Sequence, residues 1–166
     1  MEATPSRAHA GTNTLVFNGA NVNENINISA NGTRLRFFRD VANITVDVNG
    51  VQIVDFNALG GADNITVNDL SGTAVTQVNV DLAGTLGGTT GDGQADAVIV
   101  NGTAAPDTIS ITANAGAVDV SGLAAQVHIA YPEVANDALI VNGLGGTDLI
   151  STGPGVTTLI GLIVNQ

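Results

Sequence analysis

Apolar and polar residues alternate along most of this chain. In "NINIS", Ile26 and Ile28 alternate with Asn. In "ITVDV", Ile44, Val46 and Val48 share one face. In "QVNVDL", Val78, Val80 and Leu82 oppose Gln77, Asn79 and Asp81. "VHIA" and "LIVN" continue the habit, and helical periodicity is nearly absent. A period of two with β-branched residues predicts short half-buried strands. The runs close on Gly, Asn or Asp. "NG" at Asn18, Asn31, Asn49, Asn101 and Asn142 supplies residues that tolerate positive φ in turns. Pro106, Pro132 and Pro154 fall between the runs, where a missing N–H costs little. The expected class is all-β, with Ile26, Ile28, Ile44, Val46, Ile109, Ile111, Val127 and Ile129 inside.

The pattern also repeats. At an offset of about 83 residues, "NGANVNENINISAN" from Asn18 falls on "NGTAAPDTISITAN" from Asn101. Ile26 and Ile28 meet Ile109 and Ile111; Ile44 and Val46 meet Val127 and Ile129. With a short insertion near "YPE", "IVDFNALGGADNI" meets "ALIVNGLGGTDLI", and Asp63 falls on Asp148. The chain therefore reads as a leader over 1–13 and a domain over 14–166. The domain holds one unit at about 18–100 and a second at about 101–166. Short strands with Gly and Asn turns in tandem predict stacked coils that bury one continuous core, a parallel β-solenoid or β-helix. Asn at equivalent turns would stack as hydrogen-bonded ladders. The alternative is two antiparallel β-sandwich units, although each copy is short for one.

Composition narrows the partners. Of 166 residues, 15 are Asp or Glu and 4 are Arg, there is no Lys, and the net charge is −11. Phosphate backbones need clustered cations, so nucleic acid is not an expected partner. Three of the four Arg sit in "RLRFFR" (Arg34, Arg36, Arg39). They form either a small anion site or a strand with solvated Arg on one face. No apolar run is long enough to span a membrane as a helix. An acidic surface favours divalent cations, so Ca2+ is the candidate cofactor. Glycan or protein surfaces are the candidate partners.

Candidate chemistry lies in the turns. "ALGGADNIT" and "GLGGTDLIS" share Leu-Gly-Gly-x-Asp-x-Ile around Asp63 and Asp148. "GTAAPDTIS" holds Asp107, and "GDGQADAVI" holds Asp92 and Asp96. Set against the calcium nonapeptide Gly-Gly-x-Gly-x-Asp-x-U-x, each keeps a Gly, the Asp and an aliphatic residue. Calcium takes six to eight oxygens from carboxylates and from carbonyls at glycine turns. Asp63, Asp92, Asp96, Asp107 and Asp148 are thus the candidate metal ligands. Most lie tens of residues apart, and one carboxylate per turn cannot fill a calcium shell. The competing reading has each Asp close an Asx-turn on its own backbone and cap the next strand. No catalytic set is expected. With no Cys, and only His9 in the leader and His128 in an alternating run, thiol catalysis has no nucleophile and zinc few ligands. His128 is expected to face solvent or pack at a turn. A polysaccharide-active site would need Asp92, Asp96 or Glu133 beside an Arg.

The stretch "VNDLSGTAVTQVNVDLAGTLGGTTGDGQADAVIVNGT", with "GLAAQVHI" and "LIVNGLGGTDLI", resembles bacterial hemolysin-type calcium-binding repeat proteins in the region outside their nonapeptide array. The resemblance covers most of 18–150. It implies a secreted or cell-surface bacterial repeat protein with calcium-dependent segments. Taken together, the expectation is a non-enzymatic structural or adhesive module at the cell exterior. A calcium-dependent binding module is the alternative, and a polysaccharide-active enzyme a distant third. The duplication carries its own test: Asp63 and Asp148 occupy equivalent turns, and one in a turn with the other in mid-strand would refute it.

Overall fold

The computed structural model describes residues 11–166. Arg7, His9 and most of the expected leader lie outside the described residues. Fourteen strands follow one another: β1 (Thr14–Asn18), β2 (Asn25–Asn31), β3 (Arg34–Arg39), β4 (Ile44–Val48), β5 (Ile53–Asn57), β6 (Asn64–Val67), β7 (Gln77–Asp81), β8 (Ala97–Asn101), β9 (Thr108–Asn114), β10 (Ala117–Ser121), β11 (Gln126–Ala130), β12 (Ala138–Asn142), β13 (Leu149–Thr152) and β14 (Gly161–Asn165). The helical content of the described residues is two short 3-10 turns, Val41–Asn43 and Val156–Thr158. The all-β class expected from the alternation is what the chain adopts.

The strands form two mixed sheets of seven. The first runs β1-β5-β7-β11-β10-β9-β13 and the second β14-β12-β8-β6-β2-β3-β4. Of the twelve strand pairings, eight are parallel. The four antiparallel ones belong to two meanders, β2-β3-β4 and β9-β10-β11. This excludes two separate antiparallel sandwiches, because both copies contribute to both sheets and the parallel pairs tie them together.

The copies are related in a particular way. β1–β7 and β8–β14 are the two units, so the repeat begins one strand earlier than the "NG" alignment suggests, with "TLVFN" on "AVIVN". The first unit places β1, β5 and β7 in the first sheet and β4, β3, β2 and β6 in the second. The second unit reverses this, with β8, β12 and β14 in the second sheet and β11, β10, β9 and β13 in the first. Counted from the β1 end of the first sheet and the β4 end of the second, β7 is third and its image β14 is seventh. The operation is a half-turn with an advance of three to four strands, about 17 Å at the usual strand spacing.

The core lies between the sheets. Alternate residues point inward, so Val54 and Phe56, Val78 and Val80, Val98 and Val100, and Leu139 and Val141 are buried in register. Phe17, Phe37 and Phe56 cluster at one end, with Phe17 and Phe37 ring centroids 4.5 Å apart. Of the expected core residues, Ile44 and Val46 are only half-buried. They sit on β4, an edge strand with one sheet neighbour, so one flank lacks a covering layer. The expected Asn ladders are present. Asn165 Nδ2 donates to Asn142 Oδ1 (2.7 Å), Asn142 to Asn101 (2.8 Å) and Asn101 to Asn68 (3.0 Å). On the first sheet Asn57 donates to Asn18 (2.7 Å). Asn13, the last residue of the expected leader, is held by Gln52 and by the Gly50 carbonyl.

The two Leu-Gly-Gly turns are equivalent, as the duplication requires. Leu59 and Leu144 have φ of 73° and 72°, and Gly61 and Gly146 have φ of 114° and 102°. The second glycine of each pair is needed twice over. Besides its φ, a Cβ on Gly61 would lie 2.5 Å from the Val22 carbonyl carbon, and one on Gly146 would lie 2.4 Å from the Pro106 nitrogen. Sequence-distant turns touch there backbone to backbone. Gly61→Ala and Gly146→Ala are each expected to lower unfolding free energy by at least ~3 kcal/mol in urea titrations. Gly50→Ala, with φ of 70° but nothing within 4 Å of the added carbon, should cost only about 1 kcal/mol. Equal losses at all three positions would refute the close-approach argument.

Candidate functional site

Six strands start one residue after an acid. Glu24, Asp63, Asp96 and Asp137 precede β2, β6, β8 and β12; Asp107 and Asp148 precede β9 and β13. Because β2, β6, β8 and β12 are successive neighbours in one sheet, the first four acids stack into a column at its edge. Asp107 and Asp148 make a shorter column on the other sheet.

Within each column the hydrogen bonds run from strand to strand. The Glu24 N–H donates to Asp63 Oδ1 (2.8 Å), the Asp63 N–H to Asp96 Oδ1 (2.8 Å) and the Asp96 N–H to Asp137 Oδ1 (3.1 Å). The Asp107 N–H donates to Asp148 Oδ1 (2.9 Å). Asp63, Asp96, Asp137 and Asp148 thus accept the backbone N–H that precedes the neighbouring strand, while Glu24 and Asp107, at the column ends, accept from Ala20 and Thr103 in their own turns. The Asx-turn expected at Asp63 and Asp148 is therefore corrected. Strand stacking brings a distant donor closer than any in the residue's own turn. Asp92 does close a local turn, accepting from Gln94, while its other oxygen accepts from Gly61 of the next coil (2.7 Å). Glu133 accepts from Gly93 in the same manner (2.7 Å).

The "NG" glycines serve these carboxylates. Five residues before Asp107 and Asp148, Gly102 and Gly143 leave space that a Cβ would take, 2.6 Å and 2.2 Å from Oδ2 of each Asp. The same holds for Gly19 beneath Glu24 (2.4 Å).

Of the five candidate ligands, the fold gathers Asp63, Asp92 and Asp96 and sends Asp107 and Asp148 to the other sheet. Glu24, Asp137 and Glu133 join the first group although the turn motif does not single them out as ligands. A signal for Asp137 exists in the chain: "DALIVNG" from Asp137 repeats "DAVIVNG" from Asp96 almost letter for letter. Among the described residues, no three His, Asp or Glu side chains take up an arrangement that could hold a metal ion.

Burial dominates the electrostatics. Asp63 is 1% exposed, and its Oδ2 is buried with no hydrogen-bond partner. Burial, reinforced by the charges of Asp96, Glu24 and Asp92, pushes its carboxyl up to about 8, against the bond from Glu24. Burial likewise pushes Asp96 up to about 7, with Asp137, Asp92 and Glu133 adding to it. Asp137 is raised by burial as well. The column thus favours protonated members near neutral pH, which lowers the cost of stacking carboxyl groups without a counter-charge. Glu24, fully buried, instead has Arg39 as an ion-pair partner.

The other polar candidates are committed elsewhere. Arg34 pairs with Asp47, and Arg36 lies 5.2 Å from the centre of the Phe38 ring. With Arg39 on Glu24, two of the three Arg in "RLRFFR" already face carboxylates and do not form a free anion site. His128 is on the outer face of its strand, partly exposed and opposite the buried Val127 and Ile129, so it points toward solvent as expected and does not sit at a turn. It lies within β11, with Nδ1 2.6 Å from Asp119 on the adjacent β10. Burial alone would raise Asp119, but the hydrogen bonds from His128 and Asn114 outweigh it and hold the carboxyl below its usual range.

The raised carboxyls set a pH dependence. Their folded-state values lie above the unfolded value of 3.8, so the fold holds protons that the unfolded chain has released. Their contribution is complete below about pH 4 and is lost as pH rises through about 8. Unfolding free energy should therefore fall between pH 5 and pH 8.5. Asp63→Asn keeps an acceptor for the Glu24 N–H without the charge. This variant should be more stable than the parent by ~2 kcal/mol at pH 8.5 and nearly equal to it at pH 4.5. A parent that gains stability across this range would overturn the assignment.

No family model matches the chain, and it matches no curated protein and no solved structure.

Proposed function

We propose that the two-sheet winding is a flattened parallel β-solenoid that serves as a non-enzymatic structural or adhesive segment of a secreted or cell-surface bacterial repeat protein. One observation carries this reading. Four of the five carboxylates that the sequence offers as ligands, Asp63, Asp92, Asp96 and Asp148, accept backbone N–H groups from distant stretches of the chain, and Asp63 and Asp96 do so within an unbroken column from Glu24 to Asp137. One oxygen of each is thereby engaged in holding neighbouring coils in register. The third possibility, carboxylates working beside an Arg, lacks its pairing. The Arg ion pairs among the described residues join Asp47 and Glu24, not Asp92, Asp96 or Glu133. For an adhesive role, the outer face of the second sheet offers a shallow groove lined by Asn25, Asn27, Asn64, Thr66, Arg36 and Phe38. Amide and hydroxyl groups beside an aromatic ring suit a glycan.

A calcium-dependent module is the second reading. It is favoured by Asp63 Oδ2, an unpartnered buried oxygen near Asp92 and Asp96. A cation held only by the folded chain would add about 2.7 kcal/mol at 100 times its dissociation constant. The corresponding rise in melting temperature is about 5–10 °C. The test is a melt in EDTA and a melt in millimolar calcium at matched ionic strength, repeated for Asp92→Ala and Asp96→Ala. The structural reading expects no calcium shift beyond that of matched salt. A shift of that size lost in both variants would replace it with the binding module.

A further inference from the structure

We propose that a second copy of this chain docks head to tail on the β13/β14 end, presenting its own β1/β4 end, and that the association continues as an open series. The inference rests on the relation between the two internal units and not on the role given to the carboxylates. Inside the chain, the units meet through two parallel pairs: β6 with β8 in the second sheet and β7 with β11 in the first. The half-turn and advance that carry the first unit onto the second carry β6 to β13, β7 to β14 and β11 back to a β4 position. Applied once more, they set β1 of a new copy beside β13 and β4 of that copy beside β14. The new contact would reproduce the junction that the chain already makes with itself.

Both ends are suited to this. Most of the half-buried residues that pack on the core belong to the terminal layers: Leu15, Phe17, Val46 and Val48 at one end, and Ile150, Leu159 and Leu162 at the other. Val164 is 38% exposed, although the equivalent Val80 is fully buried under the next strand. Among the described residues, the edges are open in the required sense. Gly161 donates to Asp137 and the Asn165 carbonyl accepts from Gly143, so the alternation of a parallel ladder turns the Leu162 and Val164 backbone outward. Asn13 accepts from Ile53 and Gly19 donates to Asn57, so Thr14, Val16 and Asn18 face outward on β1.

The carboxylate column also fits. At the internal junction the Asp63 N–H donates to Asp96. The image of that bond runs from the Asp148 N–H to Asn13 of the new copy. Asn13 is a neutral amide whose Nδ2 is bound to Gly50, leaving Oδ1 as the acceptor. No like charge is added at the contact. A head-to-tail contact whose operator advances along the axis does not close, so the product is a series rather than a dimer.

Sedimentation velocity on the full chain from 1 to 500 µM, in 0.5 M NaCl to screen the net charge of −11, tests this. The expected result is a concentration-dependent series extending beyond dimer. Val16→Pro removes an outward N–H at the β1 end, and Val164→Pro removes one at the β14 end. Each should weaken association at least tenfold while keeping a cooperative melt. An equimolar mixture of the two variants should recover a 1:1 dimer that grows no further, since one intact head meets one intact tail. A parent that is monomeric at 500 µM, a parent that stops at dimer, or a mixture that behaves as its separate components would each overturn the proposal. If either proline variant fails to melt cooperatively, Val16→Lys and Val164→Lys replace the pair with the same expected outcomes.

Discussion

A single hydrogen bond recurs through this molecule: the N–H of the residue before a strand donates to the carboxylate before the neighbouring strand. Parallel strands cannot be linked by short hairpins, so their register must be set by something other than turn geometry. Here the carboxylate sets it. The Glu24–Asp63–Asp96–Asp137 column locks four strands at their first residue, and Asp107–Asp148 locks two more. The inward alternation of Ile, Val and Leu then follows, since a slip of one residue would turn every apolar side chain outward. The Asn ladders at the other ends of several strands act in the same direction with neutral groups.

The same bond explains the glycines and the charge. A carboxylate pointing at the next strand's start needs the two chain segments close together, and the space beneath it must be free of a Cβ. Gly102 and Gly143 provide that space, and Gly61 and Gly146 permit the backbone contact. Stacking acids in a buried column has an electrostatic cost, which proton uptake at Asp63 and Asp96 reduces. Arg39 reduces it at Glu24. An acidic, Lys-free composition is therefore tied to the architecture as much as to any ligand.

The odd number of strands per unit has a further consequence. Seven strands with one three-strand meander bring the chain back to the opposite sheet, so the second unit starts where the first could not. The copies interlock, each giving three strands to one sheet and four to the other. This arrangement leaves the two ends complementary to each other rather than to themselves.

The sequence alone determined the β class, the duplication and the equivalence of Asp63 and Asp148, because alternation, turn residues and offsets are local or self-referential properties. It also determined that Asn would stack at equivalent turns. Two things were beyond it. Sheet exchange between the copies depends on which strands lie side by side, and neither the meanders nor the parallel crossings leave a mark in periodicity. The gathering of Asp63, Asp92, Asp96, Asp137 and Glu133 depends on strands joined by connections of unequal length lying side by side in register. The 39 residues between Glu24 and Asp63, and the 33 between Asp63 and Asp96, become one strand spacing only in the folded chain. That Asp63, Asp96 and Asp148 bond the next strand was likewise decided by tertiary structure, because the N–H each accepts comes from a distant stretch of the chain.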